Sequence, residues 1–174
     1  EKSSKSKEKV PEFIVYENQR ITLNPNYLYY IDAFEFEELY KKGSAGNVID
    51  KDRILYYEEA LSLFKGELLE GYYQPWCEEI REQYNNYFFS MVEDLIGIYK
   101  KGADYEKLAE YSRMLIKADN LNEDAYIDVI EAEMKMGSDA KAKEVYKSMI
   151  KTYKKELGEE PSAETKNKIE ELLK

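Results

Sequence analysis

The sequence predicts a mainly α fold: a tetratricopeptide-like helical array (an α-α superhelix) preceded by a short β-hairpin. Three observations lead there. Apolar residues recur at helical spacing from Asp32 onward. Capping residues, glycines and prolines cut that pattern into segments. Similar helix pairs then recur at a period of about 34 residues.

The start, EKSSKSKEK, is polar and reads as a mobile tail. FIVY and RITL are short, partly β-branched apolar runs divided by polar residues, so they predict a hairpin. Pro25 ends the second strand, and NYLYY is expected to continue extended. Asp32 opens the first helix as N-cap, with Glu35 completing a capping box and Gly43 ending it. Asp50 is expected to cap a second helix with Ile54, Tyr57, Leu61 and Phe64 along one face. Pro75 suits the first turn of a third. Its face runs from Trp76 through Ile80, Tyr84, Tyr87, Phe88, Met91 and Leu95 to Tyr99, and Phe89, Val92 and Ile96 widen it. A helix apolar on two sides is sandwiched between neighbours.

Three helices follow, at 104–118, 123–136 and 139–157, with Asp104, Asn122 and Ser138 as caps. Pro161-Ser162 blocks continuation and starts a short last helix. The repeat aligns Val92, Leu95 and Ile96 with Tyr126, Val129 and Ile130, and Leu108 and Leu115 with Ala142 and Met149. Gly137 and Ala142 are expected to let paired helices approach closely. Ser112 and Asn120 depart from the repeat, where an aromatic and a proline are usual.

Composition removes many chemistries. The chain has no histidine and one cysteine, Cys77, so His-based triads and the common zinc ligand sets are excluded. Neither common phosphate-cradling loop is present. A formal net charge of −10 argues against general DNA binding by this chain as it stands. No apolar run is long enough to span a membrane and no signal-peptide pattern occurs, so the expected location is the cytoplasm. No cofactor, metal or catalytic role is expected. The acidic residues, Glu131 and Glu133 among them, read as solvated faces. DNLNED lacks the glycine and terminal Glu of a calcium loop and reads as a helix–helix turn. The abundant tyrosines read as core filling.

Stacked helix pairs leave a concave surface lined by first helices. Glu93, Lys100, Lys101, Asp124, Ile127, Glu131, Met134 and Lys135 are expected to line it as candidate partner contacts. Lys143, Lys147 and Lys151 form a stripe that could touch phosphates, although a solvated face is the commoner meaning. Cys77 sits in a first helical turn, with no histidine to act as its base.

Two blocks carry a family resemblance: Gly66, Leu68, Leu69, Trp76 and Arg81, and then Leu157, Gly158, Pro161, Ser162, Glu164 and Thr165. With Asp32–Glu37 they resemble the bacterial transcriptional activator domain of antibiotic-regulatory-protein-type regulators. The resemblance implies a non-catalytic regulatory domain, residues 32–174, that mediates self-association or contacts the transcription machinery or other domains of the regulator. It implies that residues 1–31 are a polar tail plus the wing hairpin ending a winged-helix domain. DNA would be read only through the rest of that winged helix, which this chain lacks. Within the first block Trp76 is expected in the helical stack, and Arg81 in a specific ion pair. The competing expectation is a stand-alone scaffold that binds a peptide or protein and has no part in transcription.

Overall fold

The computed structural model describes residues 13–17 and 19–174. The polar start expected as a mobile tail lies outside the described residues. Two compact units, Glu1–Asp32 and Ala33–Lys174, are each taken by themselves.

In the first unit, β1 (Ile14–Glu17) and β2 (Arg20–Leu23) form an antiparallel pair. The register sets Ile14 opposite Leu23 and Tyr16 opposite Ile21. Strand residues two apart share a face, so these four apolar side chains lie together, and all four are exposed. Tyr29 pins the base of the hairpin, its hydroxyl donating to the carbonyls of Phe13 (2.8 Å) and Asn24 (3.1 Å). Beyond Pro25 the chain first turns through Asn24–Tyr27, which takes in the first two residues of NYLYY, and residues 28–30 then belong to no strand, helix or turn.

The second unit is helical, with seven helices among the described residues: α1 (Asp32–Ser44), α2 (Asp50–Leu63), α3 (Pro75–Lys101), α4 (Tyr105–Ala118), α5 (Glu123–Lys135), α6 (Asp139–Glu156) and α7 (Ala163–Leu172). From α2 to α6 each helix packs against the next, and α7 folds back onto α5. No described helix is long and apolar enough to cross a membrane.

Local chemistry explains most boundaries. Asp104, Asn122 and Ser162 accept from the backbone N–H of Lys107, Ala125 and Thr165, each satisfying an orphan donor of a first turn. Ser138 holds the cap position of α6 without a side-chain bond. Asp50 is not the cap of α2: Ile49 is, also without a side-chain bond, and Asp50 lies inside the first turn. There its charge still favours the positive helix end.

Burial follows the repeat. Val92, Leu95, Ile96, Leu108 and Leu115 are buried, and so are Tyr126, Val129, Ile130, Ala142 and Met149, their counterparts about 34 residues on. Ala142 is fully buried at its helix contact. Gly137 is not a contact point: it is exposed, with φ of +72°, and ends α5 in a left-handed turn.

Aromatic rings fill the first half of the core. Phe36 and Tyr40 of α1 stack on Tyr84 and Tyr87 of α3, with centroids 5.7 and 4.2 Å apart. A second cluster joins Tyr126, Ile130, Met149, Tyr153 and Ile169 from α5, α6 and α7. Gly43 was expected to end α1 but lies buried within it, where the helix meets α2. A Cβ there would stand 2.3 Å from the Tyr57 ring. Arg53 Nε also donates to the Gly43 carbonyl at 3.0 Å, so the contact is held from both sides.

Gly43→Ala therefore sets two effects against each other. Alanine gains about 1 kcal/mol of helix propensity. Overpacking a fully buried tyrosine costs roughly 1–3 kcal/mol, and a separation of 2.3 Å puts this case at the upper end. The expected result is a net loss in urea unfolding; an unchanged or raised midpoint would show that α1 can move off α2 freely.

Candidate functional site

The two blocks singled out in the sequence are both latches. The segment between α2 and α3 has little regular structure, and Leu69 within it adopts a positive φ of 56°. A left-handed non-glycine residue costs on the order of 1–3 kcal/mol and persists only where its surroundings hold it. Arg81 of α3 supplies that hold. Its Nε donates to the carbonyl of Leu68 (3.0 Å), and its Nη2 to the carbonyls of Leu69 (2.6 Å) and Tyr72 (2.8 Å). The expected ion pair is secondary, since Glu67 lies 3.9 Å away. A planar fork of donors suits several converging carbonyls, which a lysine ammonium cannot match.

Trp76 departs from expectation: it is 58% exposed and does not enter the stack. The inward stripe of α3 runs through Cys77, Tyr84, Phe88, Met91 and Leu95. Trp76 sits one residue, about 100° of helix rotation, away from it. Cys77 is fully buried instead, its Sγ 3.6 Å from Gln74 Oε1. A thiol so enclosed has the character of a small apolar core residue.

The second latch closes the C-terminal segment onto α5. The Glu123 carboxylate accepts from the Ser162 N–H and hydroxyl, both at 2.7 Å, and from the Thr165 hydroxyl. Pro161 is buried beside them. Burial alone would raise the Glu123 carboxyl, but these donors outweigh it and bring it below its ordinary range. Tyr153 adds a further tie, its hydroxyl donating to the Leu121 carbonyl.

A third polar knot lies between helices and carried no sequence signal. Glu58 of α2 accepts through Oε1 from the hydroxyls of Tyr99 and Tyr111, each at 2.9 Å, with Lys107 Nζ 3.3 Å away. The two tyrosine rings stack, 5.6 Å apart and nearly parallel. Burial pushes the Glu58 carboxyl up, yet the tyrosine and lysine donors bring it below its ordinary value. Burial followed by that carboxylate raises both tyrosines beyond any physiological titration.

The expected concave-face residues separate into three kinds. Glu93, Lys101, Asp124 and Lys135 are exposed. Ile127 and Met134 pack partly buried against the second core cluster. Lys100 and Glu131 meet each other at 2.9 Å, and Lys100 also lies 2.6 Å from Asp128. Burial would lower the Lys100 ammonium, but its two carboxylate partners keep it above its ordinary value. Burial dominates at Asp128 and holds its carboxyl up despite the lysine.

Lys143, Lys147 and Lys151 are exposed along α6, and no ion pair holds them among the described residues. Glu133, expected on a solvated face, is 3% exposed because it falls two turns along from Tyr126 on the buried side of α5. Its Oε1 accepts from Arg113 Nη2 at 2.6 Å, while its Oε2 has no partner. Among the described residues no cluster of His, Cys, Asp or Glu is placed to hold a metal.

These contacts generate three expectations. Arg81→Lys keeps the charge but cannot span three carbonyls; with charged hydrogen bonds worth about 1.5–3 kcal/mol each, stability should fall by roughly 2 kcal/mol or more. Limited proteolysis between Gly66 and Tyr73 should quicken alongside, and a variant as stable and as resistant as the parent would deny the latch. Trp76→Ala should cost under about 1 kcal/mol in chemical denaturation, below the roughly 3–5 kcal/mol of a buried tryptophan.

The pH dependence has a definite sign. Glu58 and Glu123 have folded pKa values below the unfolded one, so their stabilisation is fully present above pH 4.5 and is lost as pH falls through the folded values. Glu58→Gln should flatten the acid limb of a stability–pH curve. An equally steep limb in the variant would mean that Glu58 is not the group responsible.

Against known proteins, the chain matches the model of the bacterial transcriptional activator domain over residues 31–173. No curated protein gives a significant match. The matched span takes in every helix from α1 to α7 and both latches, and the family is one of regulatory domains and not of enzymes. With its helical architecture and both blocks in structural use, the chain belongs to the bacterial transcriptional activator domain family.

Proposed function

We propose that residues 32–174 are the non-catalytic interaction part of a bacterial transcriptional activator that works in the cytoplasm. In this reading the helical array contacts the transcription machinery, a second copy of the regulator or its other domains, while a winged helix reads DNA. The observation that carries it is the family match across the helical unit. Polar ties between helices at Glu58 and Glu123, and from α3 to the preceding segment at Arg81, add support: they suit a body that transmits or presents, with surface left for a partner at Glu93, Lys101, Asp124 and Lys135.

The hairpin supports the accompanying assignment of residues 1–31 to the end of a winged helix. Ile14, Tyr16, Ile21 and Leu23 present one apolar face to solvent. An isolated two-stranded hairpin is at best marginally stable in water, so such a face is suited to burial in a larger domain. Sequence-specific contacts would then come from that domain's recognition helix.

The test is transcription from the cognate promoter by the full regulator, with and without residues 32–174. Promoter binding should persist in the shortened protein while activation falls to background. Equal activation by both would overturn the reading.

A further inference from the structure

A cleft of about 750 Å³ opens between the end of α2, the middle of α3 and α4. That volume falls within the roughly 300–1,000 Å³ of small-molecule sites. Its floor is aromatic. Phe64 stacks on Phe88 at 4.5 Å, Phe89 meets Phe88 edge-on at 5.5 Å, and Met114 adds a pliable apolar wall.

Charge on the rim is arranged unevenly. Lys65, Arg113 and Lys117 face two acids, Glu67 and Glu110. Glu110 is already engaged with Lys107 at 3.1 Å, and Glu67 has Arg81 3.9 Å away. Lys117 has no ion pair among the described residues, and Lys65 meets only the Ser62 carbonyl, at 2.5 Å. Arg113 spends one amino group on buried Glu133 and reaches the Ala109 carbonyl at 3.5 Å. A guanidinium has five N–H donors, so several remain. Arg113 and Lys117 lie one helical turn apart on α4, and Lys65 stands at the end of α2. The uncompensated charge of the cleft is therefore positive, in a chain whose net charge is −10.

We infer that this cleft is a binding site for a small amphipathic anion, an apolar body carrying one carboxylate or similar group. The apolar body lies on Phe64, Phe89 and Met114. The anionic group accepts charge-assisted hydrogen bonds from Arg113 and is neutralised by Lys117 and Lys65. A neutral apolar molecule would leave Lys65 and Lys117 without a carboxylate partner, and a cation would be repelled by them. The cleft lies within the helical unit, and the inference does not depend on which partner that unit contacts.

The test is isothermal titration calorimetry of the purified protein with decanoate, and in parallel with decyltrimethylammonium, which has the same tail and the opposite charge. One saturable decanoate site is expected, with at least tenfold weaker binding of the cation. The double variant Lys65→Gln/Lys117→Gln alters only exposed side chains and should weaken decanoate at least tenfold at an unchanged melting temperature. Met114→Trp, which fills the cleft from α4, should remove the site. Absence of saturable decanoate binding would overturn the inference. So would equal binding of the two amphiphiles, which would signify apolar partition only, or undiminished decanoate binding by both folded variants.

Discussion

Two-sided burial of α3 is the constraint on which the rest of the helical unit depends. Over its 27 residues it buries Tyr84, Phe88, Met91, Val92, Leu95, Ile96 and Tyr99, more apolar surface than one neighbour could cover. α1 and α2 bring aromatic rings to it, and α4 packs along it. Tyrosine suits this environment because the ring is buried while the hydroxyl still needs a partner. That need creates the polar ties: Tyr99 and Tyr111 converge on Glu58, Tyr57 donates to Asp94 at 3.2 Å and Tyr84 to Glu37 at 3.3 Å. The same rings that supply apolar area therefore also fix helix register through directional bonds.

The two latches solve a different problem. A stack of helix pairs has ends and connecting segments that cannot hold themselves by burial alone. Arg81 gathers three carbonyls of the α2–α3 segment, where the backbone at Leu69 is strained. Glu123 gathers the backbone and hydroxyl donors at the start of α7. In each case one charged side chain on a rigid helix satisfies several groups of a less regular segment. One wall of the cleft, Lys65–Glu67, leads into the segment that Arg81 holds.

Several misreadings share a cause. Trp76 is the largest side chain near its helix start, and a sequence pattern ranks it as core; one position of rotation puts Cys77 inward instead. Glu133 is charged, and a sequence pattern ranks it as surface. The helical phase of Tyr126 and Val129 nonetheless carries it inside, where Arg113 from α4 meets it. Gly43 looks like a helix stop but serves a close approach by Tyr57. In all three, residue type suggested one environment and the packing of a neighbouring helix imposed another.

By itself the sequence determined the helices, most of their caps and the repeat, because these depend on periodicity and on bonds between residues three or four apart. It also carried the family blocks, with Arg81, Ser162 and Thr165 in them. Tertiary structure alone decided what those residues hold: carbonyls for Arg81, and a distant carboxylate for Ser162 and Thr165. It alone joined Glu58 to α3 and α4, and brought three cations to the rim of an aromatic cleft. Such contacts join positions tens of residues apart, and their existence depends on rotation and approach of whole helices, which no local pattern records.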